Sequence, residues 1–272
     1  MSPASLSLIV TTLRDAGCVF AEDEATLLIS TARTSADLAL MVERRTSGVP
    51  LEHILGWAQF CGRRVRVDPG VFVPRRRTEF LVRQAAALAR QGAATAGRTL
   101  RSASVVVVDL CCGSGAVGIA VVQDLGDAEL HAVDIDARAV RCARRNLNAV
   151  GGHVYQGDLC APLPYTLRGR VDVLVANLPY VPTDEIRLLP PEARLHEPRV
   201  ALDGGADGLD VLRRVATQAP LWLAPGGHLL IETSDRQAAQ VAEALARCGL
   251  VARVAVCDEL DATVVIGARG PS

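Results

Sequence analysis

Aromatic residues make up only 3% of the 272-residue chain, and its acidic and basic residues nearly cancel, leaving a formal net charge of −1. Proteins that grip nucleic acid by its phosphates carry a basic excess or stripe, and single-strand binders add stacking aromatics. Neither is visible, so direct nucleic-acid binding is not expected. The runs Arg63-Arg64, Arg75-Arg76-Arg77 and Arg144-Arg145 read as solvated faces balanced by acids elsewhere. The eight cysteines, Cys18, Cys61, Cys111, Cys112, Cys142, Cys160, Cys248 and Cys257, include no CxxC pair. Neither a zinc site nor a disulfide framework is suggested, no metal is expected, and the thiols read as small, buried and reduced. No stretch combines a basic leader, an apolar segment and a small-residue cleavage site, and no apolar run approaches the ~20 residues that span a bilayer. A cytoplasmic chain with no membrane partner is expected.

Hydrophobic residues, at 50%, are ample for a sizeable core, and the length accommodates one full α/β domain plus a small additional one. Val105 to Val108 is an unbroken β-branched run, the pattern of a parallel strand buried on both faces. Glycines follow at once, as in a tight turn into a helix, and Gly113, Gly115 and Gly118 satisfy GxGxxG. Asp134 closes the next apolar run about 20 residues beyond Gly115, where an acid is placed to bind ribose hydroxyls. These letters suit NAD, FAD and S-adenosylmethionine alike. Asp109, at the end of the strand, favours a ligand with a cationic amino group over a pyrophosphate. Asn177-Leu178-Pro179-Tyr180 follows a later apolar strand, at the edge where open α/β sheets bind ligands.

DLCCGSG together with NLPY resembles the class I S-adenosylmethionine-dependent methyltransferases that act on an amide or exocyclic amino nitrogen. PLEHILGWAQF, VFVPRRRTEFLV and HEPRVALDGGADGLD match, in order, the release-factor glutamine methyltransferases of the HemK/PrmC group, from about Val49 onward. The resemblance implies a monomeric protein-glutamine N5-methyltransferase acting on the GGQ glutamine of peptide-chain release factors. It assigns Asp109 and the turn Cys111, Cys112, Gly113, Ser114 and Gly115 to the methionine end of the donor, Asp134 to its ribose, and Asp158 with Leu159 to its adenine. Asn177 borders donor and acceptor: its side-chain oxygen and the Leu178 carbonyl would accept the two N–H bonds of a substrate amino group. Pro179 fixes φ without adding a donor, and Tyr180 offers a ring face for stacking. The chain departs from the family in CCGSG, where the family has GTGTG, and in Arg76, where it has a second proline. An N6-adenine DNA or RNA methyltransferase is the alternative, since adenine presents the same planar amino group. An NAD-dependent dehydrogenase or nucleotide-binding regulator is more distant.

Along the chain, residues 1–48 read as a small helical substrate-docking domain, shorter than its family counterpart, with Gly17 and Gly48 as helix stops and Ser35 as a cap. Residues 49–77 read as a β-hairpin linker, VRV and VFV flanking an Asp68-Pro69-Gly70 turn. Residues 78–272 begin with a helix capped by Thr78, then an exposed connection from Gln91 to Ser104, then alternating strands and helices. Strands are expected at Val105–Asp109, Leu130–Asp134, His153–Gln156, Val171–Ala176 and from His228, with a loop carrying Pro190-Pro191. The short connection from Leu260 to Ala262 can join only antiparallel neighbours. The expected fold class is α/β, a Rossmann-like class I methyltransferase with a mostly parallel seven-stranded sheet and an antiparallel last strand.

Overall fold

The computed structural model describes residues 3–95 and 105–271. Helices α1 (Pro3–Asp15), α2 (Ala21–Thr31) and α3 (Ser35–Thr46) and the short α4 (Leu51–Leu55) open the chain. Their apolar stripes meet in a core of Leu13, Ala21, Ala25, Leu28 and Met41, against which Leu51, Ile54 and Leu55 of α4 also pack. Gly17 and Gly48 follow α1 and α3 at φ +89° and +92°, and the Cys18 and Val49 amides return to Leu13 O and Arg44 O, the Schellman pattern. The cap of α3 is Thr34, not Ser35. Thr34 is the residue with extended backbone, so its hydroxyl reaches the Asp37 amide at 3.1 Å, while Ser35 is already helical.

The hairpin lies earlier than VRV and VFV suggest. Strand β1 (Trp57–Phe60) pairs antiparallel with β2 (Arg63–Arg66), and Phe60 faces Arg63. Its two-residue turn is Cys61-Gly62 with φ of 46° and 73°, the double positive φ of a type I′ hairpin. Cysteine seldom adopts that conformation, so Gly62 alone marks the turn in the sequence; Glu79 Oε1 holds it by accepting the Cys61 amide at 2.9 Å. Asp68-Pro69-Gly70 does turn, with the Val71 amide 3.0 Å from Asp68 O. Val71 and Val73, however, follow in irregular backbone and pack against Ala139 and Cys142, so their alternation reflects docking on a helix and not a strand.

Thr78 is not the expected cap of α5 (Glu79–Thr95): it closes a single 3₁₀ turn, and its buried hydroxyl has no hydrogen-bond partner among the described residues. α5 extends into the stretch expected to be a connection, of which residues 96–104 lie outside the described residues. There follow β3 (Val105–Leu110), α6 (Ala116–Leu125), β4 (Ala128–Asp134), α7 (Ala137–Leu147), β5 (His153–Gln156) and β6 (Val171–Ala176). The chain continues through α8 (Pro191–His196), α9 (Asp210–Trp222), β7 (Leu223–Thr233), α10 (Asp235–Arg247), β8 (Val251–Cys257) and β9 (Ala262–Ala268). α8, opened by Pro191 at its first position, stands where only a loop was expected.

The strands form one seven-stranded sheet in the order β5-β4-β3-β6-β7-β9-β8. β3 to β7 run parallel and β9 is antiparallel to both neighbours, so the reversed last strand lies inside the sheet and not at its rim. Leu81, Ile119 and Ala143 of α5, α6 and α7 cover one face over Val107 and Val173. Leu212 and Val241 of α9 and α10 cover the other over Val108 and Leu174. Every β3 position is buried, which is why it reads as an unbroken apolar run and why the polar chemistry gathers at the strand ends. Among the described residues no helix is long and apolar enough to cross a membrane.

Arg45 of α3 joins the helical bundle to the sheet unit. Its guanidinium meets Glu24 through Nε at 2.5 Å and Nη2 at 3.1 Å, and Glu192 of α8 through Nη1 at 3.1 Å. Glu24 is only 8% exposed, so losing Arg45 strands a buried carboxylate. Arg45→Met is expected to cost about 2–3 kcal/mol, and adding Glu24→Gln to recover part of it. Chemical denaturation measures this, and unchanged midpoints would show that the clasp contributes nothing.

Candidate active site

A cavity of about 1160 Å³ opens at the C-terminal ends of the parallel strands and continues to the helical bundle. Gly113, Asp134 and Asn177 line it from the sheet, and Val19, Phe20 and Leu27 from the bundle.

At the end of β3, Asp109 is 2% exposed and its Oδ2 accepts the Gly118 amide at 2.8 Å. Only glycine permits this approach of α6: a Cβ on Gly118 would stand 3.0 Å from that oxygen and 2.9 Å from Leu130 Cδ1. Burial pushes the Asp109 carboxyl up to about 7, with the Gly118 amide opposing the rise and Asp134 adding to it. Gly115, at φ +78°, turns the chain into α6, where a Cβ would lie 2.3 Å from Leu147. Cys111, Cys112, Gly113 and Ser114 line the cavity around this turn. Burial holds both thiols above the usual cysteine range, so neither is an activated nucleophile.

Asp134 closes the far side of the turn. Its Oδ2 accepts the Gly113 amide at 2.8 Å and its Oδ1 the Asp136 amide at 2.9 Å. Burial raises its pKa above the ordinary carboxyl value while these amides oppose the shift. The end of β5 is different: Asp158 is half exposed and paired with Arg214 of α9, Leu159 is buried in the core, and neither lines the cavity.

Asn177, Leu178, Pro179 and Tyr180 line the cavity at the end of β6. Among the described residues neither the Asn177 carboxamide nor the Leu178 carbonyl has a hydrogen-bond partner, so two acceptors stand on adjacent residues. The backbone just beyond is clamped. Gln237 Nε2 donates to Tyr180 O at 3.1 Å, the Val181 amide to Leu202 O at 3.0 Å, and the Gly204 amide to Val181 O at 2.9 Å. Gly204 and Gly208 let this return loop close in: a Cβ would stand 2.7 Å from Pro179 O at the first and 2.3 Å from Tyr180 O at the second. The DGGADG block is therefore a buttress for NLPY.

Sequence reasoning missed the carboxylates behind the site. Glu197, 7% exposed, accepts the Val73 amide at 3.1 Å and Arg75 Nη2 at 2.6 Å, tying the HEPR block to the arginine turn. Glu232, 2% exposed, accepts Arg77 Nε at 3.3 Å, and Arg77 Nη2 donates to the Tyr180 hydroxyl at 2.5 Å. The available signal was an acid ending the apolar run LLI at the same sheet edge as Asp109 and Asp134. Among the described residues no group of His, Cys, Asp or Glu is arranged to hold a metal ion.

The model of the methyltransferase small domain family matches residues 89–189. A release factor glutamine methyltransferase from Streptomyces coelicolor is 39% identical over 74% of this chain and 68% of its own length. A 4-amino-L-phenylalanine/4-methylamino-L-phenylalanine methyltransferase from Streptomyces pristinaespiralis is 37% identical over 74% of this chain and 66% of its own length. Among solved structures, a T. thermophilus 16S rRNA methyltransferase in complex with AdoMet and guanosine superposes with a TM-score of 0.52 at 18% identity, covering 78% of this chain and 49% of that one. That likeness concerns the fold.

The position of Asp109 has a pH consequence. In the folded chain its proton leaves at a pH of about 7, whereas an unfolded aspartate loses it near pH ~4. Between those values the folded state binds more protons, so this group costs stability progressively as pH rises from about 4 to 7. Asp109→Asn is expected to flatten the fall of Tm with pH across that window relative to the parent. Parallel Tm curves would place the Asp109 titration elsewhere.

Proposed function

The chain belongs to the family of release factor glutamine methyltransferases, and from that premise we propose that it methylates the side-chain amide nitrogen (N5) of the GGQ glutamine of a peptide-chain release factor. The observation that carries the proposal is the pair of unpartnered acceptors, Asn177 Oδ1 and Leu178 O, at the cavity. A primary amide offers two N–H bonds in one plane. Accepting both fixes that plane and favours the positive charge that grows on nitrogen as its delocalised lone pair is drawn out. Pro179 contributes no competing donor, and the Tyr180 ring gives the flat group a surface.

The residues present fit S-adenosylmethionine. The glycine turn leaves backbone close to the cavity without side chains, Asp134 stands at the end of β4 for hydroxyls, and the Asp109 carboxylate suits an ammonium group. S-adenosylmethionine, when bound, supplies a sulfonium methyl that passes to nitrogen, leaving S-adenosylhomocysteine and, after loss of one proton to solvent, N5-methylglutamine. Asp158 and Leu159, expected at the adenine, stand at the end of β5 outside the cavity lining, with the Asp158 charge acting on the cavity-lining Cys111. Val19, Phe20 and Leu27 extend the cavity onto the helical bundle, which supports an acceptor larger than a free amino acid and gives the bundle a docking role.

The relative that methylates 4-amino-L-phenylalanine gives a second reading, since an aryl amine presents the same pair of N–H bonds. Incubation with labelled S-adenosylmethionine and either a release factor or 4-amino-L-phenylalanine, followed by mass mapping, separates the two. A single methyl on one release-factor glutamine is expected; transfer only to the free amino acid would overturn the proposal. Asn177→Ala is expected to lower kcat by about 10²–10³-fold, by analogy with removal of one oxyanion-hole donor, while S-adenosylmethionine affinity by calorimetry falls far less. An active Asn177→Ala enzyme would reduce the motif to a structural turn.

A further inference from the structure

We infer that Glu232 and Arg77 form a positioning pair for Tyr180, fixing the ring against which the acceptor amino group lies. The inference rests on the reading of NLPY as the methyl-acceptor site. Of the three consecutive arginines at the cavity, Arg75 is engaged by Glu197 and lies over the Phe72 ring, with its guanidinium carbon 5.0 Å from the centroid, and Arg76 is exposed. Only Arg77 reaches the motif, donating through Nη2 to the Tyr180 hydroxyl at 2.5 Å.

A guanidinium has donors and no acceptor, so the phenol oxygen is the acceptor in this bond. The contact grips the far end of the ring, while Gln237 Nε2 grips the Tyr180 carbonyl at 3.1 Å. With the backbone fixed by Gln237, the ring swings about its Cα–Cβ bond only by breaking the Arg77 hydrogen bond. Arg77 is itself a long side chain, 44% exposed, that would sample many rotamers alone. Glu232 removes that freedom from behind, its Oε1 3.3 Å from Arg77 Nε.

The carboxylate is costly where it stands. Glu232 is 2% exposed and its Oε2 has no hydrogen-bond partner among the described residues. A buried acid with one free oxygen is poor stabilisation by itself, since apolar packing of similar volume commonly does as well. Its placement at the end of β7, one arginine away from Tyr180, gives it a use that packing would not. Neither Glu232 nor Arg77 is assigned to the reacting atoms. Both act through Tyr180, so they are positioning residues.

The test is a mutant cycle on the intact chain with a release factor as acceptor. Tyr180→Phe keeps the ring and removes the tether; Arg77→Ala removes the donor; Glu232→Gln loosens Arg77 with little change in volume. Tyr180→Phe and Arg77→Ala are each expected to lower kcat about 10-fold with KM and S-adenosylmethionine affinity changed less than about twofold, and the double variant to be no slower than either single. Arg77→Lys should recover part of the loss and Glu232→Gln should show a smaller one. Wild-type kcat in Tyr180→Phe, or losses that multiply in the double variant, would overturn the inference.

A second readout needs no substrate. In a chain carrying Tyr155→Phe and Tyr165→Phe, the remaining Tyr180 phenol can be titrated by NMR of a labelled ring carbon. Burial raises this phenol, the Arg77 charge and hydrogen bond lower it, and the nearby Glu232 and Arg75 charges raise and lower it respectively. Arg77→Ala should therefore move the titration to higher pH, and an unmoved curve would show that the contact is absent. A parent enzyme that leaves release factors unmethylated while this titration shifts as expected would count against the proposed function and not against the pair.

Discussion

The Gly113 amide held 2.8 Å from Asp134 Oδ2 is the contact on which the rest of the site depends. It fastens the turn after β3 to the end of β4, so two neighbouring parallel strands share one polar edge. The Gly118 amide on Asp109 fastens the helix beyond that turn back onto the same strand. A sheet covered on both faces leaves its polar groups only at strand ends, and each of these bonds uses one such end to shape backbone. Gly115 and Gly118 are required by the space at this corner, because a Cβ at either would meet Leu147 or Leu130 inside contact distance.

The second edge, at β6 and β7, is built differently. There Asn177 and Leu178 themselves have free acceptors among the described residues, and the order of the segment comes from what surrounds it. Gln237 and the Gly204–Gly208 loop hold it from one side, and Arg77 with Glu232 from the other. Two acceptors left without partners inside a clamped loop are preorganised for a ligand with two donors. The helical bundle closes the far side of the same cavity and is clasped to α8 through Arg45 and Glu192. The position of α8, just downstream of NLPY, thus depends on a helix more than a hundred residues away in sequence.

Most of the sheet was legible because burial on both faces writes continuous apolar runs, as in Val105–Val108, and because the connection before β9, residues 258–261, is short enough to allow only an antiparallel partner. What stayed hidden was decided by backbone dihedrals or by contacts distant in sequence. The hairpin turn sits on Cys61, a residue with no turn preference, held by Glu79 from another element. Thr34 and Ser35 are adjacent and both able to cap, and only the extended backbone of Thr34 decides between them. Asp158 resembles Asp134 in the sequence, an acid after a short strand, yet it is paired with Arg214 of α9 at the surface and holds no backbone amide of the glycine turn. Glu197 and Glu232 stand 122 and 155 residues from the arginines they hold, and no local pattern signals such pairs.

The most direct measurement is a crystal structure with S-adenosylhomocysteine and a glutamine-containing peptide spanning the release-factor sequence. The expected result places the glutamine amide nitrogen within about 3 Å of both Asn177 Oδ1 and Leu178 O, with its plane against the Tyr180 ring. A glutamine amide bound elsewhere in the cavity, with those two acceptors facing water, would contradict the assignment of the motif to methyl transfer.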